Sequence, residues 1–132
     1  MTGVQLMRFV TNIVVSLLLS SAGCASVQSV KDGRGNGTIR KYPGACSDHW
    51  KKSLETVQRL GLEVLEENQS TFTIIAKTSV SGFSWGERVG IWLTEGSNRA
   101  SCEIEVYSRR VYSLNMTGEN WEPGFFKLYD AD

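Results

Sequence analysis

The sequence predicts an α+β fold: an antiparallel β-meander of four to five strands, covered by a central helix and a C-terminal helix. Two patterns and one kind of punctuation predict it. Apolar residues recur every three to four positions between Cys46 and Leu60, the period of one helix face. Apolar and polar residues then alternate through several short stretches, the period of strands with one buried face. Short polar or Gly-containing breaks separate these stretches, and antiparallel neighbours need no longer connection.

Ile39 to Tyr42 reads as a short first strand, ended by Pro43-Gly44. The central helix follows, with Cys46, Trp50, Leu54, Val57 and Leu60 on its apolar face and Lys51, Lys52, Glu55, Gln58 and Arg59 on its polar side. Ser47 or Asp48 is expected to cap its start, and Gly61 suits the left-handed position after its end. Leu62 to Glu66 is the next strand, with residues 67–70 as its turn. Thr71 to Lys77 places Phe72, Ile74 and Ala76 on one face. Glu87 to Glu95 does the same with Val89, Ile91 and Leu93, and residues 95–98 turn the chain. Ser101 to Ser108 directs Cys102, Ile104 and Val106 inward and Glu103, Glu105 and Tyr107 outward. Asn120 and Pro123 suit the start of a last helix over 121–129, with Phe125, Leu128 and Tyr129 on one face.

The N-terminal segment has a different character. Arg8 is the only charge in residues 1–23, and the run Phe9 to Leu19 is broken only by Thr11, Asn12 and Ser16. Eleven helical residues span about 16 Å, whereas a bilayer core needs about 30 Å. A basic start, a short apolar run and small residues after it form a secretory signal rather than a spanning helix. Ser21-Ala22-Gly23-Cys24 resembles the bacterial lipobox, with Ser21 where Leu is usual. The resemblance implies that Cys24 becomes the first residue of the mature chain and carries acyl chains of the palmitate class. Each buried CH₂ adds about 0.8 kcal/mol of membrane affinity, so several chains hold stably. By resemblance to Gram-negative sorting signals, Ala25 and Ser26 favour the outer membrane, with the domain facing the periplasm.

The expected organisation is a signal peptide over 1–23, a lipidated Cys24 and flexible tether over 24–38, and a single domain over 39–132. The tether assignment rests on "ASVQSVKDGRGNGT", a polar stretch with glycine at 33, 35 and 37. No preceding strand or following helix supports reading it as a phosphate loop. Basic and acidic residues balance at 14 each, so no strong field recruits nucleic acid. Cys46 and Cys102 both fall on core-facing positions and either pair or pack as separate thiols. Three Asn-x-Ser/Thr triplets, beginning at Asn36, Asn68 and Asn115, are chance matches in a bacterial chain.

The stretches "HWKKSLETVQRLGLEVLEENQSTFTIIAK", "SWGERVGIWLT" and "CEIEVYSRR…NW" resemble small uncharacterised bacterial lipoproteins. In these a helix ending in Leu-Gly-Leu leads into a meander. The resemblance covers most of residues 42–130. It implies a helix-on-sheet fold and brings no active residues with it.

Reactive constellations are not evident in the sequence. His49 is the only histidine, in the first turn of the central helix on its polar side, with no metal-ligand spacing or triad motif around it. Glu66-Glu67 and Glu103/Glu105 read as solvated acids. Trp92 is more informative. It falls out of phase with Val89, Ile91 and Leu93, so it is expected to face outward, with Trp85 just before the strand. Either a loop or helix covers it, or Trp92, Arg88 and Tyr107 form an exposed binding surface. The expected function is a non-catalytic binding or scaffold module anchored to the membrane through lipid, with an envelope protein as its partner and no metal or cofactor. The alternatives are a carrier of a small apolar ligand between helix and sheet, and an envelope hydrolase built around Asp48, His49 and glutamates.

Overall fold

The computed structural model describes residues 25–78, 87–110 and 121–131. The signal segment, Cys24, Trp85, Asn115 and Asn120 lie outside them. The elements in chain order are α1 (Ala25–Lys31), β1 (Thr38–Pro43), α2 (Cys46–Arg59), β2 (Glu63–Asn68), β3 (Thr73–Lys77), β4 (Glu87–Glu95), β5 (Ser101–Arg110) and α3 (Trp121–Tyr129), with one 3₁₀ turn at Ser97–Arg99. The strands form one antiparallel sheet in the order β1-β5-β4-β3-β2. The protein is therefore α+β, with α2 as the central helix and α3 as the C-terminal one.

The main core fills the space between the sheet and the helices α2 and α3. Ile74 and Ala76 of β3, Val89, Ile91 and Leu93 of β4, and Ile104 and Val106 of β5 are all buried there. Opposite them lie Trp50 and Val57 of α2 and Phe125, Phe126 and Tyr129 of α3. Trp50 meets Phe72 edge-on at 5.9 Å between ring centroids, which makes it a core anchor.

The buried face of α2 is rotated from the predicted one. Leu54 and Leu60 only pack partly against the core, whereas Ser53 and Thr56 are fully buried. Each hydroxyl donates to the carbonyl four residues earlier, Ser53 to His49 and Thr56 to Lys52, both at 2.8 Å. These local bonds satisfy the hydroxyls and let small polar residues occupy helix-facing core space. The cap also differs from expectation. Ala45 is the N-cap, with no side-chain cap of its own, and the Glu95 carboxylate of β4 accepts from the Cys46 N–H at 3.1 Å. A strand residue thus replaces the expected Ser47 or Asp48. At the other end Gly61 adopts φ 76°. Its N–H donates to Gln58, and the Leu62 N–H donates to Val57, the paired bonds of a Schellman ending.

Cys46 and Cys102 form a disulfide, with Cα atoms 5.0 Å apart. It fixes the start of α2 to the start of β5 across 56 residues of chain. At the sheet margin, a bulge between Val64 and Glu66 breaks the β2–β3 register and leaves Leu65 exposed.

Residues 25–38 are not a flexible tether. Residues 25–31 form α1, residues 32–37 turn back over the outer sheet face, and Thr38 already belongs to β1. Val30 is fully buried in a second, smaller apolar cluster with Ile75 and Trp92, flanked by Val27 and Tyr107. The sheet is thus covered on both faces, by α2 and α3 on one side and by α1 on the other.

Candidate functional site

The outer sheet face was the sequence's candidate for binding, and the strands do bring its residues together. Gly90 of β4 pairs with Tyr107 of β5 and Ile75 of β3, and Trp92 follows two residues on along the same face. Trp92 is nonetheless only 2 % exposed. The expected binding surface of Trp92, Arg88 and Tyr107 is corrected here, because α1 lies over it. Tyr107 keeps partial exposure at the margin, and Arg88 is half-buried.

Glycine makes this close packing achievable. A Cβ on Gly90 would lie 2.3 Å from the Trp92 ring, so the indole lies over a residue without a side chain. A Cβ on Gly33 would lie 2.1 Å from the Tyr107 ring. Of the glycines that suggested a flexible tether, Gly33 and Gly37 therefore serve close approach, and Gly35 supplies a φ of 95°. Polar bonds complete the attachment. Glu105, itself buried, accepts from the Gly35 N–H at 2.5 Å and the Gly37 N–H at 3.1 Å. Lys31 pairs with Glu66 at 3.0 Å, Arg109 donates to the Ser29 carbonyl at 3.2 Å, and the Arg34 guanidinium lies 5.9 Å from the Trp92 ring. Glu105, read from the sequence as a solvated acid, instead holds the covering segment in place.

The opposite layer carries a polar and aromatic cluster that the sequence did not show. His49 projects from the first turn of α2 between two partners. Its Nε2 lies 2.8 Å from the Pro43 carbonyl, and its Nδ1 lies 2.5 Å from the Tyr129 hydroxyl. A carbonyl only accepts, so Nε2 carries a hydrogen, and in the neutral imidazole Nδ1 accepts from Tyr129. Tyr42 stacks at a tilt against Tyr129, 5.0 Å between centroids, and donates to Asp130 at 2.7 Å. Arg40 meets the other Asp130 oxygen at 2.6 Å and lies over Phe126. Lys52 sits 4.4 Å above the Tyr129 ring.

Electrostatics keep this cluster neutral at its phenols. Burial, the hydrogen bond to Asp130 and its negative charge all push the Tyr42 hydroxyl well above the usual tyrosine range. Burial first, and Asp130 second, raise Tyr129 to about 12. Neither phenol supplies an anion near neutral pH. Through His49 and its two partners the cluster ties β1, α2 and α3 together. Its signal in sequence is weak, because His49 and Tyr129 are 80 residues apart.

Among the described residues, no three His, Cys, Asp or Glu side chains converge as a metal cage. Two further acids, the buried Glu87 and the half-buried Glu95, have structural partners. Glu87 accepts from the Trp121 indole at 2.6 Å, joining the start of β4 to the start of α3. Glu95 caps α2 through one oxygen, while its other oxygen is buried without a hydrogen-bond partner.

No protein-family model matches the chain, and no curated protein matches it. Among solved structures, the adenylate sensor from AMP-activated protein kinase, in complex with 5-aminoimidazole-4-carboxamide 1-β-D-ribofuranotide, is similar at 14 % identity and a TM-score of 0.44. The likeness covers 69 % of this chain and 87 % of that one, and it is too slight to carry an argument about ligand or activity.

Proposed function

We propose that this chain is a bacterial cell-envelope lipoprotein, held on the outer membrane by acyl chains at Cys24, whose domain is a non-catalytic binding or scaffold module facing the periplasm. The observation that carries the reading is the Ser21-Ala22-Gly23-Cys24 sequence directly after a short apolar run. The Cys46–Cys102 disulfide supports it, because such bonds persist in oxidising compartments and are rare in the cytosol. None of the described helices is long and apolar enough to cross a membrane, which suits anchoring through lipid. The His49 partners are the Tyr129 hydroxyl and a backbone carbonyl rather than a serine hydroxyl and a carboxylate, which supports the non-catalytic part of the reading over a hydrolase centred on that residue.

The docked α1 gives the anchor a mechanical meaning. Cys24 is bonded to the first residue of a helix that packs on the domain, so the domain follows its attachment point without a free spacer. Fractionation tests the reading. The wild-type chain is expected in the outer-membrane fraction, and Cys24→Ala in the soluble fraction or unprocessed. A wild-type chain that fractionates as soluble refutes the anchor.

A further inference from the structure

The outer sheet face carries a basic row beside α1. Cross-strand register aligns Lys77 of β3 with Arg88 of β4, and Arg88 with Arg109 of β5. These positions alternate with the core-facing Ala76, Val89 and Ser108, so all three side chains project from the outer face. Like charges directly opposite one another on neighbouring strands destabilise a sheet. Glu63, the next position across the row, pairs with Lys77 at 3.4 Å. The row so keeps two positive charges beyond its acidic neighbour. Arg88 is half-buried, and its Nε atom is buried without a hydrogen-bond partner.

The position of the row is set by α1. Arg109 donates to the Ser29 carbonyl at 3.2 Å. Ala25 begins the same helix four residues earlier, about 6 Å along its axis. Cys24 is one Cα step further, about 3.8 Å. The Cys24 Cα is therefore within about 10 Å of the Ser29 Cα along the chain. Arg109 stands at the near end of the row, with Arg88 and Lys77 one and two strands further, about 5 and 10 Å. Basic groups that reach the headgroup layer beside an anchor are attracted by anionic lipid.

We propose that the Lys77–Arg88–Arg109 row is a contact surface for the phosphate headgroups of anionic lipid in the membrane that holds Cys24. This rests on the lipid-anchor reading above. Acyl chains supply the affinity, and the basic row sets which face of the domain turns toward the bilayer. The face bearing α2, α3 and the His49–Tyr129 cluster then points away from it and remains available in the periplasm.

Lys41 provides an internal control. It pairs with Glu103, which pairs with Thr94, so it lies on the same outer face three rows from Lys77. The experiment uses the membrane-extracted full protein, reconstituted into vesicles of phosphatidylcholine alone or with phosphatidylglycerol added. An amine-acylating reagent is applied, and modification at each lysine is read by mass spectrometry, alongside the intact mass. On anionic vesicles, Lys77 modification is expected to slow about fivefold, the factor typical of one basic residue at an anionic surface. Lys41 should change little, and high salt should abolish the difference. An acylated protein whose Lys77 reacts equally on both vesicles overturns the basic row and leaves the anchor standing. A protein without an acyl adduct overturns both.

Discussion

Replacing Trp92 with alanine is expected to destabilise the domain by about 4 kcal/mol. The side chain is 2 % exposed and packs with Val30 and Ile75 on the outer face. A buried indole removes roughly 150–250 Å² from water, worth about 4–6 kcal/mol at about 25 cal/mol per Å². Truncation series for buried aromatics give about 3–5 kcal/mol, since alanine retains part of the burial and the site collapses in part. For a domain of this size, each kcal/mol moves the melting midpoint by about 4 °C, so the loss corresponds to about 15 °C. The assay is urea unfolding of the unlipidated mature chain, with Cys24→Ser to keep it soluble. Val30→Asp in the same background isolates the α1 contribution. It places a carboxylate where a fully buried valine meets Trp92, and it is expected to cost at least about 2 kcal/mol or to release α1. Changes below about 0.5 kcal/mol in both variants would be those of ordinary surface substitutions, and would refute the docking of α1.

Three further outcomes follow from the packing. Removing the disulfide with Cys46→Ala and Cys102→Ala is expected to cost about 4 kcal/mol by loop-closure entropy over the 56-residue separation, read as a shift in urea midpoint. Tyr42 and Tyr129 both titrate above the ordinary value of 10.0 when folded, so their contribution is complete below that pH and is lost as pH rises through the folded values. The melting temperature should fall above about pH 10, and less steeply in a Tyr42→Phe, Tyr129→Phe double variant. Gly33→Ala forces a Cβ to within 2.1 Å of the Tyr107 ring, so amide exchange in α1 should accelerate while that in α2 does not.

What was legible in the sequence is what local periodicity encodes. The strands of the meander alternate in phase with their inner face, and Gly61 closes α2 as its position requires. The orientation of Trp92 was also legible, because the out-of-phase reading placed it on the outer face. Its burial was not. The element that covers it has only seven residues and two apolar contacts, Val27 and Val30, and the glycines after it imitate a linker. Three turns of periodicity are needed to read a helix with assurance, and α1 has two. Ser53 and Thr56 hid part of the α2 core face for a different reason: their hydroxyls are satisfied within the helix, which composition does not display. The His49 cluster and the basic row depend on register and on contacts between distant segments. Both require the folded chain to be seen.

The central claim, that this domain is held to a membrane at Cys24, is tested most directly by the intact mass and N-terminal sequence of the protein extracted from membranes. The expected result is a chain beginning at Cys24 and carrying an acyl adduct. A mature chain that begins elsewhere, or that bears Cys24 as an unmodified thiol, would contradict it.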